Sequence, residues 1–279
     1  MTSADLLRVA IWQCAPLPTD TPPPTDTPGD RGSEVIEANL ARLARTVAQI
    51  ADRVDLVITP EMFLCGYNIG AAAVRARAER SDGPSARRVA QICADHHVAV
   101  LYGCAEESEG LVYNTIRLID ADGSTVATHY KTHLFGDLDV SMVTAGGEPA
   151  PVVDLGAWRL GMLTCYEVEF PEMLRSLAIR GADIVCVPTA NMRAYDEVQQ
   201  ILLPARALES QVYLAYANYV GEEGDLSYGG LSEFVTPTGE VGALGGRGEE
   251  IVIATADRRA LQRSRSERPY LADRRPELY

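Results

Sequence analysis

Short apolar runs alternate along the chain with segments whose apolar residues recur at helical spacing. Between Glu34 and Asp52 the apolar positions are four and three residues apart, which marks one buried face of a helix. The runs at 54–59 and 98–102 have the length of buried strands. Further strands are predicted at 7–14, 112–119, 124–130, 152–155, 158–163, 183–187, 212–218, 230–236 and 251–255, and further helices at 84–96, 171–181 and 196–210. This order predicts stacked sheets with helices outside.

Two segments depart from this pattern. Residues 15–33 contain six prolines, which lack an N–H and fix φ, so we predict a surface loop. Residues 258–279 carry seven arginines on an acidic protein. A solvated face is the simpler interpretation of this tail, and a subunit contact is the alternative. With no internal repeat and no change in composition, residues 1–279 are predicted to form one domain.

Composition narrows the class of protein. Hydrophobic residues make up 47% of the chain, which is enough for a large core. The net charge of -14 repels phosphate backbones, so no nucleic-acid partner is expected. No apolar run approaches the roughly 20 residues of a membrane span, and no signal peptide is evident. The six cysteines form no CxxC pair, which predicts reduced thiols and a cytoplasmic location.

Three reactive side chains lie at the ends of predicted strands: Glu61, Lys131 and Cys165. A free thiol is mostly protonated at neutral pH. A nearby lysine favours the thiolate, and a nearby glutamate can take its proton. Lys131 and the backbone N–H of Tyr166 could then bind a carbonyl oxygen as an oxyanion hole. These groups predict cleavage of a carbon–nitrogen bond.

Other chemistries have weaker support. His129 and His133 flank Lys131 at a spacing that suits zinc on a helix, but their segment has a strand pattern and no HExxH is present. No GxSxG motif is found, and the glycine-rich segments 221–224 and 242–248 match no nucleotide-binding loop and predict turns. We therefore expect no metal and no organic cofactor.

The segments 60–68, 130–135 and 165–172 resemble the three signatures of the nitrilase, or carbon–nitrogen hydrolase, superfamily. The resemblance implies an α+β fold, a four-layer α-β-β-α sandwich that usually forms homodimers or higher homo-oligomers. It also implies that Glu61 is the general base, Lys131 the oxyanion stabiliser and proton carrier, and Cys165 the nucleophile. Asp139 occupies the position of a second family glutamate, with a side chain one methylene shorter.

Longer strings at 61–70, 131–139, 188–192 and 216–219 resemble the branch of 5-aminopentanamidases and R-stereoselective amidases. Departures from that branch at Val140, Val143 and Ala145 concern the substrate more than the mechanism. The residues predicted to bind substrate are Tyr67, Tyr166, Glu167, Asn191 and Met192. Core packing is the alternative for Tyr67 and Met192, and orientation of the loop after Cys165 is the alternative for Glu167.

We therefore predict an amidase that hydrolyses a small aliphatic carboxamide through a thioester. The acidic residues Asp137, Asp139 and Glu148 favour a cation at the distal end of the substrate, such as an ω-amino or ω-guanidino group. Hydrolysis of N-carbamoyl amino acids and, less favoured, of nitriles are alternatives that use the same three residues. A non-catalytic scaffold is the alternative of another class.

Overall fold

Two stacked six-stranded sheets form the centre of the computed structural model, which describes residues 5–17 and 31–278. The strands are β1 (Leu6–Gln13), β2 (Leu56–Ile58), β3 (Ala99–Ser108), β4 (Leu111–Ile119), β5 (Thr125–Tyr130), β6 (Val152–Leu155), β7 (Trp158–Met162), β8 (Ile184–Pro188), β9 (Tyr213–Ala217), β10 (Val220–Glu223), β11 (Leu226–Gly229), β12 (Glu233–Val235), β13 (Val241–Leu244) and β14 (Glu250–Asp257). The helices are α1 (Arg31–Ile50), α2 (Ala71–Arg77), α3 (Pro84–His96), α4 (Gly136–Met142), α5 (Pro171–Ile179), α6 (Leu203–Ser210) and α7 (Arg258–Glu267).

The strand order places the parallel strands at the centre of each sheet. The first sheet runs β14-β1-β2-β3-β4-β5, the second runs β13-β12-β9-β8-β7-β6, and β10 and β11 form a separate hairpin. Strands β1, β2 and β3 are mutually parallel, as are β7, β8 and β9. The loops that leave β2 and β7 carry Glu61 and Cys165. Because carboxyl ends of parallel strands share one edge of a sheet, each sheet can present one reactive group there.

Three apolar clusters confirm the predicted four-layer α-β-β-α sandwich. Residues such as Ile11, Ile58 and Ile184 fill the space between the two sheets. The apolar face of α1, with Leu43, packs together with α3 on the outside of the first sheet. Helices α5 and α6 cover the second sheet with residues such as Leu177 and Leu203.

Most predicted elements are present, with shifted ends. Helix α3 has the predicted bounds, and α1 begins three residues earlier than predicted. The prediction of turns at 221–224 and 242–248 is wrong in part, because β10 and β13 include residues of these segments. Both strands belong to antiparallel pairs, in which Gly221 lies opposite Tyr228. Ladder hydrogen bonds there override the turn preference of glycine.

The helix predicted at 196–210 is irregular. A 3₁₀ turn at Arg193–Tyr195 and a π-helical turn at Val198–Leu202 precede α6. Pro204 in the first turn of α6 has no N–H to donate, and its ring crowds the preceding turn. The backbone therefore cannot continue regular α-helical hydrogen bonds across this position, and a wider π turn replaces them.

The arginine-rich tail is partly built into the fold. Within α7, Arg258 and Arg265 form ion pairs with the buried Asp183 at 3.2 and 3.1 Å. Arg258 also lies over the ring of Trp158, 4.5 Å from its centroid. These contacts fasten α7 to the second sheet. Most of the predicted proline-rich loop, residues 18–30, lies outside the described residues.

Among the helices that the structure describes, none is both long enough and apolar enough to cross a membrane.

Glu233 is a buried acid without an ion-pair partner among the described residues. It lies on β12 and shares a face with Val235 beneath the outer helices, and its Oε1 has no hydrogen-bond partner within residues 5–17 and 31–278. Burial raises the pKa of Glu233 to about 8. The folded protein therefore retains a proton that the unfolded chain releases near its ordinary pKa of 4.5.

This residue predicts a pH-dependent loss of stability. As the pH rises from about 5 to 8, the free energy of unfolding should fall, because only the unfolded chain gains the ionised carboxylate. Glu233→Gln removes this titration, so it should stabilise the protein by roughly 1–3 kcal/mol at pH 8 and by less at pH 5. Urea unfolding at both pH values measures the difference. Glu240→Gln, at an exposed position, is the control, and an equal effect of Glu233→Gln at both pH values would contradict the prediction.

Candidate active site

Glu61 lies in the loop that leaves β2, with its side chain completely buried. Its backbone N–H donates to the carbonyl of Thr189 at 3.3 Å, so the loop bridges the two sheets. The loop packs directly on β3 at Gly103, where any Cβ would collide with the backbone nitrogen of Met62. Glu61 Oε1 accepts a 2.7 Å hydrogen bond from Asn114 Nδ2. Its Oε2 is buried without a hydrogen-bond partner among the described residues.

Lys131 follows β5 and joins two carboxylates. Its Nζ lies 2.7 Å from Glu61 Oε1 and 2.6 Å from Asp139 Oδ2, and all three side chains are buried. The main chain on either side is also fixed, since Lys131 N–H donates to Asn114 and Gly146 N–H donates to the Lys131 carbonyl, both at 2.8 Å. An ammonium group has three protons. These two contacts leave one proton for a third acceptor.

Asp139 reaches Lys131 even though its side chain is one methylene shorter than that of glutamate. It lies in the first turn of α4 and also accepts hydrogen bonds from Tyr67 O–H and Phe135 N–H, both at 2.8 Å. The Tyr67 ring lies 5.8 Å from Lys131 Nζ, within range of a cation–π contact. Tyr67 therefore helps to hold the lysine through both its hydroxyl and its ring.

Cys165 begins the 3₁₀ turn Cys165–Glu169 that follows β7. Its φ of 49° is rare for a residue with a side chain, and its exposed fraction is 9%. The charges of Glu61 and Lys131 and hydrogen bonds from Thr189 and Ala190 all act on its thiol. Acid, amine and thiol from three strand ends therefore lie in one site.

The thiol of Cys165 is protonated in the free site. Burial raises the pKa of Cys165, the charge of Glu61 raises it further, and the opposing effect of Lys131 is too small to compensate. Lys131 therefore acts in the expected direction, towards the thiolate, but does not set the net shift in the pKa of Cys165. Burial also raises the pKa of Glu61, against the opposing charge of Lys131, which makes it a stronger base than an exposed glutamate.

Lys131 itself stays an ammonium. Burial alone would lower the pKa of Lys131, but the surrounding acidic groups, with Glu61 as the largest contribution and Asp139 as a hydrogen-bond partner, outweigh burial and raise it. A cation that keeps its proton can stabilise negative charge on a substrate oxygen.

The carboxylate of Glu167 is fully engaged by the protein. It contacts His129 Nε2 at 2.9 Å and accepts hydrogen bonds from Thr132 N–H at 2.8 Å and Thr164 N–H at 2.7 Å. Burial opposes ionisation, but hydrogen bonds from His129 and Thr132 prevail and lower the pKa of Glu167. These contacts tie the turn of Cys165 to the loop after Lys131. They match the alternative that Glu167 orients this loop, and they leave no oxygen for substrate.

Tyr166 belongs to a row of aromatic rings. Its ring is edge-on to Phe135 at 5.4 Å and to Phe170 at 4.9 Å, and Phe135 in turn meets the exposed Tyr195 at 5.6 Å. The backbone N–H of Tyr166 lies in the first turn of the 3₁₀ helix, where N–H groups have no carbonyl partner within the helix. This N–H is thus suited to the predicted oxyanion hole.

Asn191 and Met192 follow β8. The Asn191 amide donates to the Tyr195 carbonyl at 3.0 Å and to Gln199 Oε1 at 2.9 Å, so its side chain braces the segment before α6. Met192 is half-buried and forms a single β-bridge with Tyr228. The structure thus gives Asn191 a protein partner for each side-chain N–H, while Met192 remains partly accessible.

Sequence reasoning missed two residues that contact this site. Asn114, in the middle of the apolar strand β4, donates to Glu61. Glu223 of β10 is buried and accepts hydrogen bonds from the backbone N–H groups of Tyr67 and Asn68, with the shortest at 2.7 Å, and from Tyr228 O–H at 2.6 Å. The signal for Asn114 was a polar residue within an apolar strand. Glu223 lies in a segment predicted as a turn and gave no such signal.

No three His, Cys, Asp or Glu side chains within 5–17 and 31–278 are arranged to hold a metal ion. His129 contacts Glu167, and His133 contacts the hydroxyl of Thr132 at 2.8 Å.

Known proteins are similar to this chain in sequence and in fold. Residues 8–266 match the carbon–nitrogen hydrolase family. The chain is 47% identical over 274 residues to "Hydrolase in pqqF 5'region" of Pseudomonas protegens, covering 98% of this chain and 90% of that protein. It is 35% identical over 239 residues to an (R)-stereoselective amidase of a Pseudomonas species, covering 85% of each.

Solved structures agree. A variant of the amidase from Nesterenkonia sp. AN1, with the acetamide moiety of fluoroacetamide covalently added at its active-site cysteine, is 30% identical with a TM-score of 0.80 over 99% of this chain and 97% of that one. Another variant of that amidase, in complex with acrylamide, has a TM-score of 0.81 at 30% identity and covers 100% of this chain and 97% of that one.

The chain therefore belongs to the carbon–nitrogen hydrolase family, the nitrilase superfamily, and is similar to amidases within it. It is a hydrolase that acts on the carbon–nitrogen bonds of amides.

Proposed function

We propose that this amidase hydrolyses a small aliphatic carboxamide to a carboxylic acid and ammonia through a thioester on Cys165. The observation that carries the proposal is the buried contact of Lys131 with Glu61 and Asp139, in a site where the charges of Glu61 and Lys131 both act on Cys165. A protonated thiol, a strong base and a permanent cation are the parts that acyl transfer requires.

Acylation begins with transfer of the Cys165 proton to Glu61. Because the thiol is protonated at rest, the proton moves as sulfur attacks the carbonyl carbon, and the unpartnered Oε2 of Glu61 receives it. The third proton of Lys131 and the N–H of Tyr166 hold the oxyanion. Glu61 then returns the proton to the amide nitrogen, the carbon–nitrogen bond breaks, and ammonia leaves a thioester.

Deacylation repeats these steps with water. Glu61 takes a proton from water as the oxygen attacks the thioester carbonyl, and the same two donors hold the second oxyanion. Collapse breaks the carbon–sulfur bond, the carboxylic acid leaves, and Glu61 returns the proton to Cys165. Each cycle consumes one water and needs no redox partner.

Removal of the thiol tests this mechanism. Cys165→Ala should lower ammonia release from carboxamides by at least about 10⁴-fold, because no acyl-enzyme can form. A coupled ammonia assay measures turnover, and circular dichroism reports folding. Cys104→Ala removes the thiol of a half-buried cysteine and should keep activity. Turnover by folded Cys165→Ala would contradict the mechanism, and release of carbon dioxide with ammonia would identify a carbamoyl substrate instead.

We further propose that the substrate carries a cation, such as an ω-amino or ω-guanidino group, at its distal end. The support differs from what the sequence predicts, because Asp139 is occupied by Lys131 and both Asp137 and Glu148 are exposed. Glu169, four residues after Cys165, is half-buried and forms no side-chain ion pair among residues that the structure describes. Burial raises the pKa of Glu169, as does the charge of Glu197, and the charges of Lys131 and Arg206 oppose them.

Carboxamides of equal length with different distal groups test whether Glu169 or the acidic loop sets a preference for a cation. 5-Aminopentanamide should be hydrolysed with a higher kcat/KM than pentanamide, and an ω-carboxylate analogue should be disfavoured. Glu169→Gln should reduce the preference for the cation by roughly five- to tenfold, which corresponds to about 1 kcal/mol for a partly screened ion pair. Glu148→Gln is the matched control on the loop that the sequence indicates. If Glu148→Gln lost the preference for the cationic substrate and Glu169→Gln kept it, the cation would be assigned to the acidic loop and not to Glu169.

We also propose a homodimer built across α5 and the tail. A depression of about 790 Å³ there is lined by Glu172, Arg175, Arg180, Glu209 and the apolar Ile179, among others. Ile179 and Tyr270 are 50% and 45% exposed, and the surrounding charges have both signs, so the face can complement a second copy of itself.

Solution mass tests the dimer. Sedimentation of the wild type should give twice the mass of one chain, and Ile179→Glu should shift the protein toward monomer by placing a charge in the contact. Ile201→Glu, at another exposed apolar position, should leave the mass unchanged. A monomeric wild type at micromolar concentration would refute this proposal.

We propose a cytoplasmic location and a single hydrolase domain across residues 1–279. The first is supported by six cysteines that are all free, and the second by one family match over residues 8–266.

A further inference from the structure

Asn114 holds both charged partners of the site at once. Its Nδ2 donates to Glu61 Oε1 at 2.7 Å, and its backbone carbonyl accepts the N–H of Lys131 at 2.8 Å. Asn114 is completely buried. A single residue of β4 therefore fixes the acid through its side chain and the lysine through its main chain.

The surroundings of the Glu61 carboxylate are asymmetric. Oε1 accepts from both Asn114 and Lys131, each at 2.7 Å, whereas Oε2 is buried and has no donor within the part of the chain that the structure describes. Two donors on one oxygen leave the other as the more available proton acceptor. They also prevent rotation of a terminal torsion that is otherwise broad.

The strand that carries Asn114 is rigid. β4 lies between β3 and β5, and Asn114 pairs with Ala105 of β3. A polar group on an interior strand is held more precisely than one on a loop. A polar side chain at a buried strand position also costs stability unless it forms a hydrogen bond, and here the hydrogen bond is to Glu61.

We propose that Asn114 is a positioning residue for the hydrolysis proposed above, and that its amide N–H locks the Glu61 carboxylate with Oε2 directed at the proton it must accept. The inference rests on Glu61 acting as the base. It assigns to Asn114 two effects on Glu61, orientation and stabilisation of the ionised form.

Asn114→Leu tests both effects, because leucine has nearly the same size and cannot donate. The value of kcat/KM should fall roughly 10- to 100-fold, in proportion to a lost hydrogen bond to a charged group. The acidic limb of the pH profile should move to higher pH, since the lost donor favoured the ionised form of Glu61. Reduced packing alone would lower activity without moving this limb.

A second readout needs no substrate. The rate at which iodoacetamide alkylates Cys165, followed by mass spectrometry of its peptide, should rise along a limb set by the Glu61–Cys165 pair. This limb should also move to higher pH in Asn114→Leu. If the wild type released no ammonia from any carboxamide while the alkylation limb still moved, the proposed function would fail and the role of Asn114 would stand.

Two further variants make the result decisive. Asn39→Leu removes another buried asparagine, one that donates to the Phe63 carbonyl at 2.9 Å and not to Glu61, and should leave both limbs in place. Asn114→Asp keeps the shape if the leucine variant does not fold, and its added carboxyl group should move the limbs in the same direction. A folded Asn114 variant with both limbs at their wild-type positions would overturn the proposal.

Discussion

The rest of the site depends on the ion pairs between the buried ammonium of Lys131 and two carboxylates. Removing an ammonium from water costs several kcal/mol, and here the cost is offset by two carboxylates within 2.7 Å. With Glu61 and Asp139 ionised, the three groups carry one net negative charge, which disfavours a thiolate at Cys165. Transfer of the thiol proton to Glu61 only moves that charge onto sulfur and then the oxyanion. The site therefore reaches its reactive form without acquiring a second excess charge.

Buried polar side chains around Lys131 fix loop backbone that is not fixed by pairing between strands. Glu167 fixes the segments next to Cys165 and Lys131, Glu223 fixes the backbone at Tyr67, and Asn114 fixes Glu61. Each of these side chains accepts or donates where a loop would otherwise leave buried N–H or carboxylate groups unpaired. The catalytic chemistry thus rests on a surrounding network whose members do not themselves need to touch substrate.

Burial has the same effect on the proposed nucleophile as on other cysteines of the chain. Burial raises the pKa of Cys14, Cys65 and Cys93 to about 12, and raises that of Cys165 as well. A low resting pKa therefore does not distinguish the reactive thiol. Its neighbours do, because Cys165 alone among these four lies beside both a carboxylate and an ammonium of the site.

The sequence by itself indicated stacked sheets with outer helices, the three candidate residues and the family, because apolar periodicity and short motifs are local properties of a chain. It also indicated Asp139, but not that this shorter acid reaches Lys131 with the help of Tyr67. Only the tertiary structure decided that Glu167 and Asn191 bond to protein and that Asn114 and Glu223 support the site. The Asn191 contacts span four and eight positions, whereas those of Asn114 and Glu223 with the site span 53 and about 156. Hydrogen-bond partners leave no periodic trace in a single sequence.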